Sequence, residues 1–83
     1  MHELALTQSL VDLVTDRTAG RRVVAVHLRV GELSGVVAEA MEFSFDVATA
    51  GGPLEGATLV VERTAGDELD LSHVELLREA PCA

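Results

Sequence analysis

Over residues 4–17 apolar side chains return at helical spacing: Leu6, Leu10, Leu13 and Val14 recur, while Glu3, Thr7, Asp12 and Asp16 fall largely elsewhere. The pattern predicts an amphipathic helix, with Gly20 soon after it as a stop signal. Over residues 22–30 the period drops to two. Val24, Val26, Leu28 and Val30 would face one way and Ala25, His27 and Arg29 the other, as in a half-buried strand. Residues 31–35 are rich in turn formers. A second helix is predicted over residues 37–50, where Glu39, Glu42 and Asp46 line one face and Ala40, Met41, Ser44, Phe45, Val47 and Ala48 occupy the rest. Gly51, Gly52 and Pro53 end it, since Gly is favoured just past a helix and Pro cannot continue one.

Two further strands are predicted, over residues 57–63 and 68–76. The link Thr64-Ala65-Gly66-Asp67 is short enough for a hairpin. In the last strand Leu69 and Leu71 share one parity and Val74 and Leu76 the other, which predicts a bulge near Ser72 and His73. A strand-helix-strand crossover favours parallel pairing, and a four-residue link favours an antiparallel neighbour. The expected fold is therefore α+β in two layers: two helices on one face of a three-stranded mixed sheet, in the order α-β-α-β-β. One sheet face and at least one edge would stay open, and a homodimer is one way to cover such an edge.

With 83 residues the chain fits a single domain, residues 1–83. Phe43 and Phe45 are its only aromatics, so Leu, Val and Ala must build most of the core. The net charge of −8 argues against nucleic-acid binding, which draws on Lys and Arg to neutralise phosphates. No run approaches the ~20 apolar residues of a membrane-spanning helix, and His2 and Glu3 stand where a secretion signal carries Lys or Arg. A cytoplasmic protein with no membrane partner is expected. Cys82 is the single cysteine, which excludes an intrachain disulfide and leaves a near-terminal thiol that reads as inert. Enzyme signatures such as a P-loop, a nucleophile elbow or a His-Glu-x-x-His pair are missing, and Ser34 completes no Gly-x-Ser-x-Gly pattern, so no catalytic activity is expected.

One stretch carries its own chemistry. In Met1-His2-Glu3 the α-amino group, the His2 amide nitrogen and the His2 Nδ1 can close two fused chelate rings around one metal. The Glu3 amide or carboxylate could complete the plane. Planar nitrogen and oxygen donors suit Ni(II) or Cu(II), whereas Zn(II) prefers a tetrahedron. The amine and amides must lose protons to bind, so affinity should rise with pH. Taken alone, the tripeptide reads more readily as an incidental, frayed terminus.

It stands among other motifs. Met1-His2-Glu3-Leu4 with Gln8-Ser9-Leu10 is followed by Val26-His27-Leu28-Arg29-Val30-Gly31-Glu32-Leu33-Ser34-Gly35-Val36. Then come Glu39-Ala40, Phe43-Ser44-Phe45-Asp46, Thr49-Ala50-Gly51 and Leu54-Glu55-Gly56-Ala57. In this order they closely resemble the HypA family, the nickel metallochaperones of [NiFe]-hydrogenase maturation. The resemblance runs over about residues 1–62, and Gly66-Asp67-Glu68-Leu69 with Val74-Glu75 looks like the family's last strand. It implies Ni(II) held by Met1, His2 and Glu3, a HypB-type GTPase and a hydrogenase large-subunit precursor as partners, and a fold of two helices on three strands. The family also carries a zinc domain of two Cys-x-x-Cys pairs between its last two strands. Here residues 63–66 simply join the strands, so that domain and its structural zinc are expected to be absent. A second reading therefore stays open, an adaptor that keeps the fold and partner contacts without delivering nickel.

The remaining candidates have ordinary readings. His27, on the polar side of its strand, and His73, at the bulge, form no recognisable ligand spacing. Glu32 could line a nickel site or only shape its turn, and the Glu39, Glu42 and Asp46 stripe reads as a solvated face.

Overall fold

The computed structural model describes residues 3–78, and the elements follow the predicted order. Helix α1 spans Glu3–Thr18, strand β1 Val23–Gly31, helix α2 Ala38–Thr49, strand β2 Thr58–Thr64 and strand β3 Leu69–Leu76. The sheet is mixed, in the order β2-β1-β3, with β1 parallel to β2 and antiparallel to β3. Val26, Leu28 and Val30 of β1 join Leu10, Val11 and Val14 of α1, Met41 and Phe45 of α2, and Leu54, Ala57 and Leu59 in one core. Both helices thus cover the same face of the sheet. Thr7 lies against Met41 near the start of α2, while Val11, Asp12 and Thr15 border a groove with Ala48 and Pro53, so the helices run side by side in the same direction. No helix of the described residues is long and apolar enough to cross a membrane.

The buried stripe of α1 is Thr7, Leu10, Val11, Val14 and Thr18, rotated from the predicted one. Leu13 is 40% exposed whereas Thr7 is wholly buried. A buried threonine is tolerable here because its hydroxyl donates to the Glu3 carbonyl at 2.6 Å. The helix stops at Ala19 and Gly20, which take positive φ of 51° and 81°. Phe45 fills the centre with no exposed surface, and its loss to Ala would cost about 3–5 kcal/mol.

Ser72 bulges from β3, because His73 pairs with His27 and Leu71 with the next residue, Leu28. That extra residue puts Leu69, Leu71, Val74 and Leu76 on one face, against the core, despite their split parity. A second irregularity falls at Val24 of β1 and was not predicted. It turns Val24 out, 45% exposed, and Val23 in.

The predicted hairpin does not form: β3 lies beside β1, not beside β2. Four residues suffice for a tight turn, but Ala65 to Glu68 can also step over one strand, since two interstrand gaps make about 9.6 Å and extended residues reach about 3.3 Å each. The crossing is held by the end of β1 and the turn after it. Gly31 N–H donates to the Glu68 carbonyl at 2.6 Å, Glu32 N–H to Thr64 at 2.9 Å and Leu33 N–H to Gly66 at 2.9 Å. Gly31 has to be glycine, because a Cβ there would sit 2.6 Å from the carbonyl carbon of Gly66 and 2.7 Å from the amide nitrogen of Glu68.

Candidate metal-binding sites

Of the expected nickel ligands, Met1 and His2 lie outside the described residues, and Glu3 opens α1. What the structure shows is how the chain next to them is held. The Glu3 carbonyl takes the Thr7 hydroxyl, whose oxygen lies 3.5 Å from the Met41 sulfur in the core. The first turn of α1 thereby packs against α2.

The open face of the sheet holds a second group of donors. Residues paired across strands share a face, so Ala25 lies with Thr58 and Glu75, His27 with Val60 and His73, and Arg29 with Glu62 and Asp70. The His27 and His73 rings stack with centroids 4.0 Å apart and planes 16° from parallel. His27 Nε2 meets the Glu75 carboxylate at 2.7 Å, and Nδ1 of His73 lies 3.0 Å from the Ser72 hydroxyl. One ligand atom each from His27, Glu62 and His73 falls within 4.8 Å of the others, and they are the only such cluster among the described residues. Sequence reading missed it because His73 was set beside the wrong strand. The available signal was that both histidines interrupt apolar alternation on the solvent side.

Around this cluster, Arg29 pairs with Asp70 at 2.9 Å, and that hydrogen bond, with the charge behind it, raises the guanidinium pKa above its usual range. Glu62 takes part in none of the ion pairs among the described residues. On the helix side, Arg63 reaches Glu39 at 2.9 Å. Glu32 is exposed and contributes through its backbone to the crossing link, which favours the turn-shaping reading. Cys82 lies outside the described residues.

Comparison with known proteins bears on the terminal site. Residues 1–75 match the family model described as hydrogenase/urease nickel incorporation, metallochaperone, HypA. The hydrogenase maturation factor HypA of Geobacter metallireducens is 52% identical over 66 residues, covering 80% of this chain and 60% of that protein. Those of Geobacter sulfurreducens, at 50% over 66 residues, and Chloroflexus aurantiacus, at 48% over 65 residues, cover 80% and 75% of this chain. The chain spans about 60% of the length of these relatives. A match that begins at Met1 and runs through all five elements makes the chain a member of the HypA family.

Proposed function

We infer that this chain is a nickel-binding, metallochaperone-like module for [NiFe]-hydrogenase maturation, holding Ni(II) as cargo through Met1, His2 and Glu3. The observation that carries the reading is the family match over residues 1–75, which includes the terminal tripeptide. The donor set supports it: one amine, backbone amides and one imidazole form a planar chelate that Ni(II) accepts. The chain acts in this reading as a carrier rather than a catalyst, beside a HypB-type GTPase and a hydrogenase large-subunit precursor. It does so without a zinc domain, since the link Ala65 to Glu68 holds neither Cys nor His.

One observation favours the adaptor reading as well. Phe43 is 71% exposed and Val47 of the same helix and Val37 just before it are more than half exposed, so α2 and its N-terminal cap show apolar side chains to water. Calorimetric titration with Ni(II) of the wild-type chain, the His2→Ala variant and an N-terminally acetylated chain tests the proposal. One planar Ni(II) per chain, identified by its d-d absorption, is expected for the wild type, and that planar species is lost in both altered chains. Undiminished planar Ni(II) in either would exclude the terminal site. Capture of the GTPase that is indifferent to His2→Ala, in a chain that binds no nickel, would instead support the adaptor.

A further inference from the structure

We propose that the open face of the sheet carries a second, zinc-type metal site in which His27 of β1, Glu62 of β2 and His73 of β3 are the protein ligands, with water completing the shell. Each strand contributes one ligand, so a bound ion would clip the three strands together. This proposal does not depend on the terminal site.

The donor chemistry sets the metal class. Two imidazoles and one carboxylate with an open position form a set that Zn(II) accepts in a tetrahedron, unlike the planar amide-rich set at Met1. Metal-to-ligand bonds of about 2.0–2.1 Å put tetrahedral donors roughly 3.3 Å apart. The donors already lie within 4.8 Å, and the remaining closure needs only side-chain rotation, because Glu62 and His73 are exposed. The stacked rings must splay from their 16° to aim both lone pairs at one ion.

The surroundings are prepared for such an ion. Glu75 holds Nε2 of His27 and Ser72 lies against Nδ1 of His73, the outer-shell contacts that fix ring orientation in metal sites. Each contact occupies one nitrogen of its ring and leaves the ring a second nitrogen as a donor. Arg29, paired across the strands with Glu62, is engaged by Asp70, while Glu62, Asp70 and Glu75 give this face an acidic excess. The two imidazoles stack at 4.0 Å near the Glu62 carboxylate on the solvent side of the sheet, where core packing does not require them. The expectation of a zinc-free chain concerned four thiolates between the last strands and does not touch this site.

The test uses the N-terminally acetylated chain, whose blocked amine removes the terminal chelate, titrated with Co(II) and then Zn(II). One Co(II) per chain with strong tetrahedral visible absorption is expected, bleached by zinc, together with a zinc-dependent rise in Tm. Glu75→Gln should weaken binding about 10–100-fold, as loss of an outer-shell partner does. Glu62→Gln and His73→Asn, both at exposed positions, should weaken it further, and their combination should abolish the absorption and the Tm shift. Circular dichroism shows whether the variants stay folded, and the Tm in chelator gives each its own baseline. An acetylated chain that binds no Co(II) or Zn(II), or a folded double variant that binds as tightly as the parent, overturns the proposal.

Discussion

Glu39 shows how one exposed carboxylate can serve two elements. Helix α2 starts at Ala38 behind Val37, which offers no side-chain cap. The Glu39 carboxylate takes its own backbone N–H in the first turn, where the helix dipole favours negative charge, and also accepts from Arg63 of β2 at 2.9 Å. The backbone hydrogen bond first, then Arg63, lowers its pKa below the usual carboxylate value. A group depressed in the folded state adds stability above its unfolded pKa and loses it as pH falls through the folded one. Urea unfolding of wild type and Glu39→Gln should therefore differ at pH 7 and converge at a pH well below the ordinary Glu range, once the depressed folded-state pKa has been passed. Equal gaps at both pH values would mean that the charge contributes nothing. At this scale the sequence was partly readable. The acidic stripe of α2 was evident as an exposed face, but the partner of Glu39 depends on where β2 lies. Thr7 was misplaced because a threonine counts as polar until its hydroxyl is known to have a backbone acceptor.

Among the elements, β3 bears the most unusual constraint. Its apolar residues seal the core edge beside β1, yet it is reached only by the link that crosses over the end of β1. Gly31 makes the crossing compatible with backbone contact, and any Cβ there meets main-chain atoms that cannot rotate away. Gly31→Ala should lower stability by about 1–3 kcal/mol or more, in the range of overpacked sites, and should free β3 first. In amide hydrogen exchange, protection of Leu69–Leu76 should fall before that of α1. A variant as stable as wild type, with β3 equally protected, would show that the link can shift at no cost. The strands and the Ser72 bulge were legible because alternation and its interruption are local signals. The neighbour of β3 was not, since a short link constrains reach and several pairings satisfy the same reach. The twist in β1 at Val24 was hidden for a related reason: Val23 and Val24 are equally apolar, and only the register with Leu76 and Glu75 selects which one points inward.

For the molecule as a whole, the sheet would separate the two proposed metal sites. Glu3, the one expected nickel ligand among the described residues, belongs to the helix layer, whereas His27, Glu62 and His73 lie on the opposite face of the sheet. The first motif could be read from adjacent residues and a family resemblance. The second could not, because its ligands come from three strands and meet only through the β2-β1-β3 order. Sites with no shared ligand and a packed layer between them should behave additively. The chain should therefore take up Ni(II) at its terminus and Zn(II) on the sheet with little mutual effect. His2→Ala should remove the nickel alone, and Glu62→Gln with His73→Asn the zinc alone. Calorimetry with each ion in the presence and absence of the other measures this directly. A nickel affinity that changes more than about twofold on zinc loading would mean the two faces are coupled, since an additive pair stays within about 0.5 kcal/mol. The route for such coupling would be β1, whose inner residues reach α1 through the core while His27 on its outer side holds the ion. Independence, by contrast, would leave the sheet site to fasten β3 while the terminus exchanges its cargo.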